Sequence, residues 1–342
     1  MSDLTKARPT IQDVAQAAGV SRAAVSKVIR NAYGVSPLMR ERVTAAIDEL
    51  GYRPNVAARS LRGSSFTLGI ELPTIGNPFF SKIIAGATRA LADSPYQLVI
   101  APVTNDQVEG FRALEALADR HVDGIVAISP HVEQPWLEQL GSRVPLVMIG
   151  RHDLTDGYDT LTGDDLGGAA QVMRHLFSLG HQRIAHVSIR RDVGSQYLRS
   201  PHAVRVREYE RLMTEAGYSS HIQAVYLHSE DDIRERTQEL LLGPDRPTAI
   251  FAGHDTLALD VMRVRDEEGL SAGQLSVVGY DDVEIASHPA LSLTTVDQFG
   301  YDMGERAIKM LLERISGRTT AVHHQNGNEL RVRNSSAPPE LP

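Results

Sequence analysis

The chain has 342 residues, 42% hydrophobic and 23% charged; at about 150 residues per domain this suits two or three globular domains and excludes wholesale disorder and fibrous repeats. Cysteine is absent, which excludes disulfides, thiolate metal sites, iron–sulfur clusters and a cysteine nucleophile. No apolar run reaches the roughly 18 residues of a membrane helix, and the N-terminal stretch with Asp3, Lys6, Arg8, Asp13, Arg22 and Lys27 holds no apolar signal core, so the expectation is a cytoplasmic protein with no membrane partner.

The net charge of −8 hides an asymmetry. Residues 1–63 carry ten Lys and Arg against five acids, or +5, so the remainder carries −13. A small basic head on a large acidic body points to a polyanionic partner at one end only.

In chain order, Thr10 with Asp13 three residues on reads as a capping box, and Ile11, Val14, Ala15 and Ala18 form an apolar stripe at helical spacing. Gly19 ends this helix, because glycine takes the left-handed conformation of a tight turn without steric cost. Ser21 caps a second helix over 22–29, with Val25, Val28 and Ile29 inward; Ser36-Pro37 opens a third, striped by Met39, Val43, Ala46, Ile47 and Leu50 and closed by Gly51 and Pro54. Ala15, Gly19, Val25 and Val28 meet together the packing demands of a helix-turn-helix, and the second helix presents Ser21, Arg22, Ala23, Ser26 and Lys27 to a major groove. Arg22 and Lys27 can read base edges, while Ala23 can only touch a thymine methyl.

From Phe66 the pattern changes. Strand-like runs at 67–72, 97–101, 124–128, 146–149, 184–187, 224–227, 249–252 and 276–278 alternate with helical stretches including 81–93, 107–119, 166–178 and 255–267. Such alternation means parallel sheets covered by helices, and two blocks of it meet near 158–161. Facing strand ends of two such lobes form a ligand cleft. No nucleotide-binding glycine motif, Walker A, serine elbow or zinc-protease motif occurs, and His323-His324 lies in a polar stretch without a third ligand. The chain is read as no enzyme, without metal or cofactor. Trp136 falls in a helical stretch and reads as packing.

The stretches Thr10-Ile-Gln-Asp-Val-Ala-Gln-Ala-Ala-Gly-Val-Ser21, Val25-Ser-Lys-Val-Ile29 and Leu50-Gly-Tyr-Arg-Pro-Asn-Val-Ala-Ala-Arg-Ser-Leu61 resemble the head of the lactose-repressor (LacI/GalR) transcription factors. Further landmarks follow in the body: Ile75-Gly-Asn-Pro-Phe-Phe80, Val122-Asp-Gly-Ile125, Leu179-Gly-His-Gln-Arg-Ile184, Val277-Val-Gly-Tyr-Asp-Asp282 and Leu293-Thr-Thr-Val296. The resemblance implies an all-α helix-turn-helix head and a hinge helix, then an α/β periplasmic-binding-protein-like core of two Rossmann-like lobes. The corresponding division is a head at 1–54, hinge and linker at 55–65, an N-terminal lobe at 66–158 and 296–322, a C-terminal lobe at 159–295 and 323–336, and a tail at 337–342. The third crossing is expected near 293–296, returning the helix around Met303 to the first lobe.

The resemblance also assigns roles. In the hinge, Asn55, Ala57, Leu61 and Arg62 contact DNA, with Leu61 as a wedge in the minor groove. A seven-residue helix is too short to hold alone, and an apolar wedge can unstack a base step. Phe79, Phe80, Arg151, Arg205, His254 and Asp281 match effector-contact positions, although Gly150 stands where many members have Asp, His254 where Asn is usual, and Glu208 in place of a frequent glycine. A carboxylate, a guanidinium and a covering ring are the chemistry of sugar recognition. The reading is a homodimeric repressor of a pseudo-palindromic double-stranded operator, controlled by a carbohydrate effector. A purine or nucleoside effector is one alternative, and a solute-binding protein without DNA function another.

Overall fold

The structure, a computed structural model, describes residues 9–29, 33–53, 64–103, 107–189, 199–227, 229 and 232–340. It forms two compact units, Met1–Ser65 and Phe66–Pro342.

The first unit is built from α1 (Ile11–Ala18), α2 (Arg22–Ile29) and α3 (Pro37–Leu50). Its turns follow from local chemistry. The Thr10 amide donates to Asp13 Oδ2 at 2.7 Å and the Asp13 amide to Thr10 Oγ1 at 3.4 Å, completing the capping box. Gly19 sits at φ 62°, where a Cβ would lie 2.7 Å from the Arg42 guanidinium that donates to the Ala18 carbonyl at 2.6 Å. Val14, Ala15, Ala18, Val25, Val28, Val43 and Ala46 close a small shared core.

The second unit carries two six-stranded sheets. The first, in order β11-β5-β4-β3-β1-β2, is parallel throughout: β1 (Thr67–Leu72), β2 (Gln97–Pro102), β3 (Gly124–Ile128), β4 (Leu146–Ile149), β5 (Asp159–Gly163) and β11 (His323–Asn326). The second, in order β12-β10-β9-β8-β6-β7, is parallel except for its last edge: β6 (Ile184–Ile189), β7 (Gln223–Leu227), β8 (Ala249–Ala252), β9 (Ser276–Tyr280), β10 (Thr294–Asp297) and β12 (Glu329–Arg331). One apolar cluster runs through both sheets, and each has a second cluster of its own, so both faces are covered, as parallel strands require.

The sheet memberships correct all three expected lobe boundaries. Strands β5 and β11 belong to the first sheet, not the second, and β10 lies wholly in the second. The chain therefore crosses after Gly163, after Asp297 and after Asn326, rather than at 158, 295 and 322. The shift has a physical cause. Asp159-Thr-Leu-Thr-Gly163 and His323-His-Gln-Asn326 are polar runs without an apolar signature. Asp159, fully buried, is held by Arg314 at 2.8 Å, by both terminal nitrogens of Arg318, and by the Val322 amide at 3.0 Å. Charge pairing at Asp159 seats that strand together with one buried apolar side chain, Leu161.

The helix Gly300–Ile315 returns to pack on the helix Pro78–Ala90 of the first lobe, as expected, but the crossing that brings it back is the second and not the third, because β11 leads to a later one. The two approach to backbone contact. A Cβ at Gly86 would stand 1.9 Å from the Tyr301 carbonyl oxygen, and one at Gly304 1.9 Å from that of Ile83. Gly304→Ala and Gly86→Ala should each force the helices apart and lower stability by about 1–3 kcal/mol or more; urea unfolding midpoints equal to wild type would show the contact to be yielding.

In the second sheet His186 lies between the rings of Tyr209 (centroids 5.5 Å) and Phe251 (4.4 Å), where burial pushes its imidazole from 6.5 down to about 3. The unfolded chain therefore takes up a proton near pH 6.5 that the folded chain refuses, so stability falls as pH drops from 6.5 toward 3, by at most about 1.4 kcal/mol per pH unit from this residue. His186→Phe should flatten that slope in urea titrations between pH 7 and 4.5, and an unchanged slope would assign it elsewhere.

Candidate functional site

Two sites arise, one in each unit. In the first, the Ser21 hydroxyl accepts the Ala24 amide at 3.1 Å and so caps α2. With Val25 and Val28 turned into the core, Arg22, Ala23 and Lys27 are exposed and Ser26 is half-buried. These form the surface expected to meet DNA. Asn55, Ala57, Leu61 and Arg62 lie outside the described residues.

The second site is a cavity of about 140 Å³ between the two sheets, and Phe79, Phe80, Arg151, Arg205, His254 and Asp281 all line it. Its first-lobe wall begins at Asn77, which caps the helix Pro78–Ala90 by accepting the Phe79 amide at 2.9 Å. That bond uses Oδ1 and leaves Nδ2 to donate across the cleft to Asp281 Oδ2 at 3.2 Å. Phe79 is buried and Phe80 half-buried, their ring centroids 6.1 Å apart and tilted by 58°.

Asp281 follows β9 with φ 117°, and Asp282 follows at φ 47°, two successive residues in a region that side chains avoid. The strained turn delivers the carboxylate into the cavity wall. Oδ1 accepts from Gln298 Nε2 at 2.6 Å, so donors from the first lobe and from the second crossing meet one buried acid. Burial raises its pKa from 3.8 to about 6, against the opposing pull of Arg205 and the two amides.

Arg205 lies in the helix Pro201–Glu215 with its guanidinium carbon 3.8 Å above the ring centre of Tyr280. Its Nε donates to Asp165 Oδ1 at 2.9 Å and a terminal nitrogen to the Gly253 carbonyl. Asp165 Oδ2 in turn pairs with His152 Nε2 of the first lobe at 2.9 Å. His254 caps the helix Asp255–Glu267 by accepting the Leu257 amide at Nδ1, 3.4 Å away, and meets His202 edge-on at 5.9 Å. Just behind it, Asp255 has its pKa raised well above 3.8 by burial and then by Asp281, while accepting the Val283 amide at 2.8 Å.

Arg151 reaches the same wall differently. Its guanidinium donates to the carbonyls of Pro130 (3.2 Å) and Val132 (2.6 Å) and pairs with Asp153 at 3.0 Å. It shapes the cavity through contacts with its own chain. Sequence reasoning missed Asn77, Gln298, Asp165, His131 and His202. Asn77 had a signal, as a cap residue directly before Pro78; Gln298, in a crossing of no regular structure, had none. Among the described residues no three of His, Cys, Asp or Glu converge as metal ligands do, and no helix is long and apolar enough to cross a membrane.

Comparison with known proteins agrees with this architecture. Residues 10–55 match the family described as bacterial regulatory proteins, lacI family, and residues 173–336 a periplasmic binding protein-like domain. The ribose operon repressor of Escherichia coli (strain K12) is 33% identical over 315 residues, spanning 90% of this chain and 93% of that one. The structure of a complex of the transcriptional regulator CelR with cellobiose is 31% identical with a TM-score of 0.68, covering 96% of this chain and 100% of that one. The lac repressor dimer bound to operator and the anti-inducer ONPF is 26% identical with a TM-score of 0.80, covering 97% and 100%.

The raised pKa of Asp281 carries a signed prediction. Between pH 3.8 and about 6 the folded chain holds a proton that the unfolded chain has lost, so ionising this group costs folded-state stability as pH rises through that window. Asp281→Asn removes the buried charge and should raise stability at pH 7.5 by up to about 3 kcal/mol, with the gain vanishing near pH 4. Calorimetric melting at both values tests it; a variant less stable at pH 7.5 would show that Asn77, Gln298 and Arg205 more than offset the burial.

Proposed function

The chain belongs to the lacI family of bacterial regulatory proteins, and on that premise we propose that it is a homodimeric repressor whose hold on a two-fold operator is set by a small carbohydrate in the cavity between its lobes. The observation that carries the effector half is the Asp281 carboxylate, met by Asn77 from one lobe and Gln298 from a crossing. A ligand hydroxyl that replaces either donor changes what holds the lobes together, and hence their angle. A ligand with differential affinity for the two angles shifts their populations, which is all that switching requires.

Carbohydrate is preferred to purine by the disposition of the aromatic rings. Phe79 and Phe80 both come from the first-lobe helix, whereas Arg205, His202, His254 and Ile189 line the opposite side. Phenyl rings on one side only suit the apolar face of a sugar ring; a flat base is best held between two aromatic faces.

On the DNA side, Arg22 and Lys27 read base edges, and Leu61 is the wedge that opens a step of the minor groove. Selection from random duplexes should return an inverted repeat, because a symmetric dimer presents two equal heads. Lys27→Ala should cost about 1–3 kcal/mol per half-site and relax one base pair. Leu61→Ala should lower specific affinity and duplex bending together while charge-driven binding to random DNA persists, since alanine preserves helix propensity but not the wedge. An asymmetric consensus, or full bending by the Leu61→Ala protein, would overturn the corresponding half of the reading.

A further inference from the structure

Each of the two cavity arginines is held by a buried aspartate, and each aspartate also meets the opposite lobe. In the first lobe Arg151 pairs with Asp153 at 3.0 Å, and Asp153 takes a second cation from across the cleft, Arg199 at 3.5 Å. In the second lobe Arg205 pairs with Asp165 at 2.9 Å, and the other oxygen of Asp165 meets His152 of the first lobe at 2.9 Å. Backbone ties the two arms together, the His152 amide donating to the Arg199 carbonyl at 3.0 Å. The Arg199 guanidinium also donates to Gln134 Oε1 of the first lobe.

Both ends are fastened in their own lobes. Arg151 binds the Pro130 and Val132 carbonyls, the Tyr158 hydroxyl donates to Asp153 at 2.6 Å, and Thr155 donates to Glu138 at 2.6 Å, so the loop that carries His152 is pinned to the first lobe. Arg199 stands just before the helix Pro201–Glu215, whose cap Ser200 accepts the Ala203 amide at 3.2 Å and whose following turn carries Arg205. Ser200, Pro201 and Arg205 line the cavity, whereas Arg199 and His152 stand outside its lining. One helix start therefore serves the cavity and the cross-lobe contact together.

Letting go costs little here. If Arg199 leaves, Asp153 keeps Arg151 and Tyr158. If His152 leaves, Asp165 keeps Arg205 and its place in the first turn of the helix Asp165–Ser178, where the helix dipole favours an acid. The departing side chains, 44% and 28% exposed, are received by water. No buried charge is left unmatched, which is the expensive outcome when an ion pair opens. Contacts of this kind bias an angle without fixing it.

We infer that Arg199 and His152 are positioning residues for effector binding, a clasp that favours the lobe angle at which both walls of the cavity are in place. The inference rests on the reading above that the effector occupies this cavity. A ligand whose competent arrangement is only fractionally populated binds more weakly in proportion to that fraction. Loosening the clasp therefore weakens binding without altering a cavity residue.

Pulsed electron–electron double resonance on the full chain measures the angle without any ligand. The chain has no cysteine, so spin labels at Glu115→Cys in the first lobe and Glu235→Cys in the second, both exposed positions, report one distance per chain. Dilution with unlabelled chains removes distances between partners. The combined His152→Ala and Arg199→Ala variant should widen the distance distribution about twofold. His152→Gln with Arg199→Lys, which restores an amide donor and a cation, should return it to the parent width. Arg199→Ala alone serves if the combined variant melts below the assay temperature.

Calorimetry with D-ribose, D-glucose, D-galactose, cellobiose, hypoxanthine and guanine gives the second readout. Any of these that the parent binds should be held about threefold or more weakly by the alanine variant, with affinity recovered in the conservative one. An unchanged distance distribution, or a widened one with ligand affinity unmoved, overturns the inference. Where no compound of the panel binds, the distance comparison decides the clasp by itself. Binding confined to the purines overturns the carbohydrate reading instead, and the same comparison of affinities then decides the clasp with the purine.

Discussion

A carboxylate taken out of water must be matched by donors, wherever the chain can bring them from. Asp281 is such a group, and the second unit is organised around meeting it. The turn after β9 accepts two positive φ angles to place it. Asn77 reaches it because a helix cap holds its other end, and Gln298 because the second crossing passes directly by. Arg205 lies close enough to draw its pKa down against burial. None of these partners shares an element with another, so their arrangement depends on the relation between the two lobes. Any change in the relation between the lobes would change the surroundings of this acid.

A second carboxylate works the same way on another side of the cleft. Asp165 is shared between Arg205 of its own lobe and His152 of the other, at 2.9 Å each. An arginine that lines the cavity is thus one hydrogen bond from a contact that spans the lobes. Buried ion pairs add little net stability because desolvation offsets attraction. They do impose geometry, here on the approach of the two lobes at this side of the cleft.

What was legible in the sequence was local. The capping box at Thr10, the left-handed Gly19, the Ser21 cap and Ser36-Pro37 each report on a few neighbouring residues, and the three helices of the first unit follow from them. Apolar strands were legible for the same reason. The polar strands β5 and β11 were not, because Asp159 is stabilised by Arg314 and Arg318 from more than 150 residues away, a pairing no short window contains. The six residues around the cavity came from resemblance, not periodicity, and resemblance does not say how a side chain is engaged. Arg151 shows the difference: it occupies the expected wall with a guanidinium already held by Pro130, Val132 and Asp153.

The late return of the helix Gly300–Ile315 and strand β11 to the first sheet bears on how this chain is made. Translation delivers residues in order at about 5–20 per second, so the first lobe's opening strands emerge tens of seconds before the segment that completes them. During that interval the face of the helix Pro78–Ala90 that Gly304 will cover has no cover, and Asp159 has neither arginine. Both lobes therefore wait for the end of the chain, the first for β11 and the second for β12. A ribosome that stalls between residues 250 and 300 releases a product in which neither sheet has all its strands, and quality control meets such fragments as wholly unfinished protein.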